Sequence, residues 1–124
     1  MRLLLDTHVL LWWLDDPTLI VESAREAIAE PNNDVFVSSV SVWEVVLKRS
    51  LGKLNAPHNL PNVIAANGFR VLPVTIDHAL ATESLPWHHR DPFDRMLVAQ
   101  AIAEGMSFLR DKWIREYNVP IVLA

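Results

Sequence analysis

The chain has 124 residues, 51% of them apolar, and carries no cysteine. That length suits one domain, spanning residues 1–124, with room for a buried core, and the missing cysteine excludes disulfides, thiolate metal sites and thiol chemistry, as expected of a cytoplasmic protein. The formal net charge of -4 argues weakly against a polyanionic partner, and no apolar run approaches the roughly 20 residues that cross a membrane.

Residues 2 to 5 read as a first strand, Arg2 followed by three leucines. Asp6 and His8 interrupt this run, which separates it from a signal peptide. Val9 to Leu14 is a short helix stopped by Asp15-Asp16-Pro17, and its Trp12-Trp13 pair faces either the core or a partner. Ser23 to Ala29 is a second helix, and Pro31-Asn32-Asn33-Asp34 a turn. Val35 to Ser38 alternates and is rich in β-branched and aromatic residues, as a strand is. Ser41 opens a helix that runs to about Ser50, with Gly52 near its end. Residues 60 to 67 are helical, Arg70 to Val74 form a third strand, and Asp77 caps a helix reaching Ser84. The segment Pro86 to Arg90 is a loop. Pro92 to Glu104 is a helix with proline at its first position and Gly105 after its last. Met106 to Leu109 and Val119 to Leu123 are two further strands, joined by a helical turn around Trp113 to Tyr117.

Strands separated by helices are most economically parallel, because each right-handed crossover returns the chain to the same edge. The fold class is therefore α/β, with ligands expected outside the carboxyl ends of the strands. Asp6 and Asp111 end the first and fourth strands, and Glu44 and Asp94 lie early in helices that follow a strand or loop. All four point toward one rim. Singly, Glu44 and Asp94 also fit helix starts, Ser41-Val42-Trp43-Glu44 as a capping box and Asp91 as the cap before Asp94. Asp6 and Asp111 have no such reading, since a charge just past a buried strand is costly unless something pairs with it.

Four carboxylates without cysteine or a spaced histidine pair suit Mg²⁺ or Mn²⁺ rather than zinc or copper. His88 and His89 are adjacent and cannot easily chelate one ion, His58 and His78 read as surface residues, and His8 reads as a packing or hydrogen-bonding neighbour of Asp6. A cation on carboxylates, with waters left on it, supports phosphodiester hydrolysis. With those four acids set aside, the remaining acidic residues balance the 11 basic ones, and Arg90, Arg95 and Lys112 stand beside the proposed site to position a nucleic-acid backbone. No phosphate loop, nucleophile elbow or dinucleotide fingerprint competes.

Three blocks carry a resemblance: Leu4-Leu5-Asp6-Thr7-His8-Val9-Leu10-Leu11-Trp12, Ser38-Ser39-Val40-Ser41-Val42-Trp43-Glu44, and His89-Arg90-Asp91-Pro92-Phe93-Asp94-Arg95-Met96-Leu97-Val98-Ala99-Gln100-Ala101. In this order they resemble PIN-domain proteins, and among them the VapC-type ribonuclease toxins of bacterial toxin-antitoxin pairs. The resemblance implies a three-layer α/β/α sandwich around a parallel sheet of about five strands, RNA as substrate with Mg²⁺ or Mn²⁺ as cofactor, homodimers, and a cognate antitoxin whose tail occupies the acidic pocket. It places the catalytic, metal-binding acids at Asp6, Glu44, Asp94 and Asp111. One position departs from the pattern: Leu109 stands where the family often has Thr or Ser, so that polar contact is missing beside Asp111, and Thr7 or Ser39 would have to supply a hydroxyl.

Two other functions compete with a ribonuclease. A non-catalytic binding module of the same fold would dock to RNA or to a protein through Trp12-Trp13, but it would not need four acids. A phospho-accepting receiver domain would need paired acids after the first strand and a lysine ending the fifth, and neither is present.

Overall fold

The computed structural model describes residues 1–87, 90–110 and the backbone of 121–123. His88, His89, Asp111, Lys112 and the helical turn expected at Trp113 to Tyr117 lie outside the described residues.

Five parallel strands form one sheet in these residues: β1 (Arg2–Leu5), β2 (Asp34–Ser38), β3 (Arg70–Leu72), β4 (Ser107–Arg110) and β5 (Ile121–Leu123), in the order β3-β2-β1-β4-β5. β1 is central, with Leu4 opposite Phe36 on one side and Phe108 on the other. Buried on both faces, it has to be a continuous apolar run, and Leu3, Leu4 and Leu5 are all fully buried. Period-2 alternation sends them to different layers. Leu3 and Leu5 join Val35, Val37 and Leu109 in a core closed by α1 (Thr7–Asp15), α2 (Glu22–Ala29) and α4 (Leu60–Ala66). Leu4 joins Leu72 and Phe108 in a second core beneath α6 (Pro92–Glu104), which packs in turn against α5 (Ile76–Ala81). α3 (Ser39–Ser50) contributes Val45 to the first core and Val40 to the second. The expected three-layer sandwich follows from these two cores.

Several local expectations are corrected. α3 begins at Ser39, because Ser38 is its cap and accepts a hydrogen bond from the Val40 amide at 3.0 Å. Ser41 is therefore inside the helix, where its Oγ accepts from the Thr7 hydroxyl at 3.0 Å, and the capping box read at Ser41 to Glu44 does not form. β3 ends at Leu72 rather than Val74. α5 is capped by Thr75, not Asp77, and passes into a short 3-10 turn at Thr82–Ser84. Trp12 and Trp13 both pack against the first core, and the Trp13 indole donates to Asn67 Oδ1 at 3.0 Å. α6 matches its expectation at both ends: Asp91 caps it, Pro92 opens it, and Gly105 closes it in the left-handed conformation at φ 64°.

The strand order places the site. The chain runs outward from β1 to β3, then crosses back to β4 on the other side of β1. Connections therefore diverge between β1 and β4, and a crevice opens at their carboxyl ends. The ladder continues one step past β1, where the Asp6 amide donates to the Leu109 carbonyl at 2.8 Å. Asp6 is fixed at the mouth of that crevice by backbone, independent of its side chain. Among the described residues no helix is long and apolar enough to cross a membrane.

Candidate active site

Asp6 holds the N-cap position of α1, yet its side chain makes no capping hydrogen bond. Aspartate is favoured there because it caps, so a buried carboxylate that declines the role is set for another one. Only 4% of Asp6 is exposed. Burial raises its pKa above the usual carboxylate value; His8 and Arg110 pull it back, and Glu44 pushes it further up. The His8 ring is mostly in solvent, stacked on Trp12, with Nδ1 3.8 Å from Asp6 Oδ2. It is a neighbour of the acid, as read from the sequence.

Glu44 lies in the second turn of α3 and is as buried as Asp6. Its Oε2 accepts from Lys48, one turn further along the helix, while Oε1 is buried with no hydrogen-bond partner among the described residues. Holding that proton raises the Lys48 pKa. An orphaned oxygen of this kind costs about 1–3 kcal/mol or more in a folded chain. It is an acceptor in want of a cation or donor.

Asp94 stands in the first turn of α6, where Asp91 takes the capping role by accepting from the Phe93 and Asp94 amides at 2.8 and 3.2 Å. Relieved of that function, the half-buried Asp94 carboxyl is pushed up to about 6, first by desolvation and then by repulsion from Asp6, Asp91 and Glu44, with Arg110 opposing. Asp6, Glu44 and Asp94 come from three separated segments and still act on one another electrostatically.

Arg110, at the end of β4, is a site residue that the sequence reading did not single out. It is 3% exposed and lowers the pKa of both Asp6 and Asp94. A basic residue closing an otherwise apolar strand was the available signal. The expected substrate contacts divide. Arg90 is exposed and lines a hollow of about 370 Å³ with Trp87. Arg95 is 5% exposed, and its guanidinium donates to the carbonyls of Thr82 at 2.7 Å, Pro86 at 3.0 Å and Leu85 at 3.3 Å. It fastens the loop before α6 from inside and is not turned toward a ligand, which corrects its reading as a backbone contact. The hydroxyls of Thr7 and Ser39 are likewise engaged, Thr7 with Ser41 and Ser39 with the Val74 amide at 3.1 Å. Leu109 is fully buried in the first core.

The donor set suits a hard divalent cation. It is all oxygen, Asp6 and Glu44 both raise the pKa of Asp94, and one buried oxygen lacks a partner among the described residues. No three acids or histidines among those residues are close enough to cage an ion unaided.

Known proteins share both the sequence pattern and the arrangement. The PIN domain family model matches residues 3–118. Ribonuclease VapC22 of Mycobacterium tuberculosis is 26% identical over 121 residues, covering 94% of this chain and 92% of that protein. In the crystal structure of VapBC2 from Rickettsia felis bound to a DNA fragment from its promoter, a chain 16% identical superposes with a TM-score of 0.70, covering 99% of this chain and 98% of that one. DNA-bound VapBC from Salmonella typhimurium gives a TM-score of 0.68 at 19% identity, with 99% and 98% covered. Three acids at the mouth of the β1/β4 crevice, in a chain matched by the family model almost from end to end, make this protein a member of the PIN domain family.

Proposed function

We propose that the chain, acting as one unit in the cytoplasm, is an endoribonuclease that hydrolyses RNA phosphodiester bonds with Mg²⁺ or Mn²⁺, and that it is the toxin of a toxin-antitoxin pair. The observation that carries this reading is the convergence of Asp6, Glu44 and Asp94 at the crevice: Glu44 raises the cost of ionising Asp6, both raise that of Asp94, and one buried Glu44 oxygen has no partner among the described residues. A similar ribonuclease and structural neighbours that are VapBC complexes support the substrate and the partner.

Asp6, Glu44 and Asp94 would hold the cation, with Asp111 as a fourth candidate. Once bound, a divalent ion activates water and stabilises charge on a phosphoryl oxygen. The chain's own residues prepare for it. Lys48 fixes Glu44 through Oε2 and leaves Oε1 available. Arg110 lowers the pKa of both Asp6 and Asp94, opposing the rise that burial and their acidic neighbours impose. Asp91 holds the first turn of α6 in place beneath Asp94. Arg90, exposed and unpaired among the described residues, would meet the RNA backbone, with Lys112 as a second cation, and the expected products carry a 5′-phosphate and a 3′-hydroxyl.

The antitoxin would cover apolar surface as well as the acids. Trp43, Val46, Leu47 and Leu51 form an exposed stripe along and just past α3, beside Glu44. Spacings of three and four residues keep them on one face, which is how a groove or partner helix is met.

Cleavage of a structured RNA with Mg²⁺ or Mn²⁺ tests the reading. Asp6→Asn is expected to slow cleavage about 100-fold or more; equal rates for variant and wild type would rule it out.

A further inference from the structure

We infer that Trp87, in the loop that leads into α6, is a stacking platform for a nucleobase of single-stranded RNA, with Arg90 set next to it for the strand's phosphates. This rests on the ribonuclease reading and adds the residues that would seat the substrate.

Trp87 is 71% exposed, an unusual position for the largest apolar side chain. It is nevertheless held in place. Its ring centre lies 3.7 Å from the Arg95 guanidinium carbon, so one face rests on a buried cation that the carbonyls of Thr82, Leu85 and Pro86 lock in position. With 71% of the residue exposed, the opposite face is open among the described residues. A ring fixed on one side and open on the other presents a ready stacking surface with little conformational entropy left to lose. Arg90 lines the same hollow, which at about 370 Å³ lies in the range of small-ligand pockets. Arg95 is also the chain neighbour of Asp94, so the platform is anchored on the helical turn that carries one of the acids.

A second exposed tryptophan shows why charge decides the ligand. Trp43 is 60% exposed and meets Phe93 edge-on at 5.0 Å, but its exposed neighbours are Val46, Leu47 and Leu51. That setting suits a protein surface. Trp87 instead lies over one arginine and beside another, and an aromatic face paired with cations is the arrangement that binds single strands without sequence preference.

Fluorescence anisotropy with a short labelled single-stranded RNA, in EDTA so that binding is read without cleavage, tests the proposal. Trp87→Leu keeps an apolar cover over Arg95 but has no π-face, and is expected to weaken binding about tenfold; Trp87→Phe stays within about threefold of wild type. Arg90→Ala, which leaves the ring seated, is expected to weaken binding and make its salt dependence shallower by about one phosphate contact. If the Leu and Phe variants both bind as the wild type does, the platform is overturned and the ring belongs to a protein contact. An unchanged salt slope for Arg90→Ala overturns the phosphate role. A wild type that binds RNA through Trp87 but never cuts it contradicts the ribonuclease reading while leaving the platform in place.

Discussion

Two clusters of buried polar side chains lie on this fold, and they are built on opposite principles. Between α5 and α6, His78 is 3% exposed and well matched: Nδ1 accepts from the Thr75 amide at 3.1 Å, Nε2 faces Glu104 Oε1 at 3.2 Å, and the Thr75 hydroxyl accepts from the His78 amide at 3.2 Å. Gln100 reaches both the His78 ring and the Pro73 carbonyl at 3.3 Å, while its own Oε1 is buried without a partner among the described residues. At the mouth of the β1/β4 crevice the pattern inverts. Asp6, Glu44 and Asp94 repel one another, and Glu44 Oε1 has no partner among the described residues. A matched cluster fastens helices together; a mismatched one stores unfavourable energy that a cation can relieve. A buried polar atom without a partner occurs in both clusters, so it does not by itself mark function; what sets the crevice apart is that like charges are buried together.

The largest expected effect falls on the residue that keeps the mismatch tolerable. Arg110→Met removes a buried cation that favours ionised Asp6 and Asp94, and in chelator at neutral pH is expected to lower unfolding free energy by about 3 kcal/mol, less at pH 5. Urea melts at the two pH values would show it, and no change would mean that the acids are not in conflict.

Asp94→Asn sharpens the contrast in the other direction. The folded pKa of Asp94, about 6, lies above its ordinary 3.8, so the neutral acid is the form that folding favours. Its contribution is fully present below pH 4 and is lost as the pH rises through 6. In metal-free solution the wild type should lose about 1–2 kcal/mol across that window, allowing for solvent that still reaches the group, and Asp94→Asn should lose less and be the more stable at pH 7. A steeper fall in the variant would contradict the sign.

The smallest effect is expected at the matched cluster. His78→Ala deletes half of a capping box and the Glu104 contact, for a loss of about 1 kcal/mol in stability. RNA cleavage should stay within about twofold of wild type. A large loss of activity with the fold intact would show that the two clusters are not separate in function.

Much of this was legible in the sequence, for identifiable reasons. A strand buried on both faces must be an apolar run, so β1 was plain, β2 showed in its alternating β-branched and aromatic residues, and α6 carries its own start and stop in Asp91-Pro92 and Gly105. The acids Asp6, Glu44 and Asp94 stood out because strand ends and helix starts converge on one rim in a parallel sheet. The errors arose where one residue type serves two roles. Ser38, Ser39 and Ser41 can each cap a helix, and only packing against Thr7 decides that Ser41 does not. His78 read as a surface residue because the usual capping box ends in Glu or Gln, while here Thr75 pairs with a histidine three residues on. Arg95 read as a contact to a nucleic-acid backbone because arginine usually lies at the surface, and Arg110 did not stand out; their burial depends on carbonyls and carboxylates brought in from elsewhere in the chain. Asp111, the fourth acid of the expected site, lies outside the described residues, and its part in the site rests on the PIN-domain resemblance.

The central claim, that the crevice acids are a cation site in waiting, is tested most directly by calorimetric titration of Mn²⁺ into the metal-free protein. The account predicts saturable binding by the wild type, at least about tenfold weaker binding by Asp6→Asn, and unaltered binding by His78→Ala. Absence of Mn²⁺ binding by the folded wild type, or equal affinity in Asp6→Asn, would contradict it.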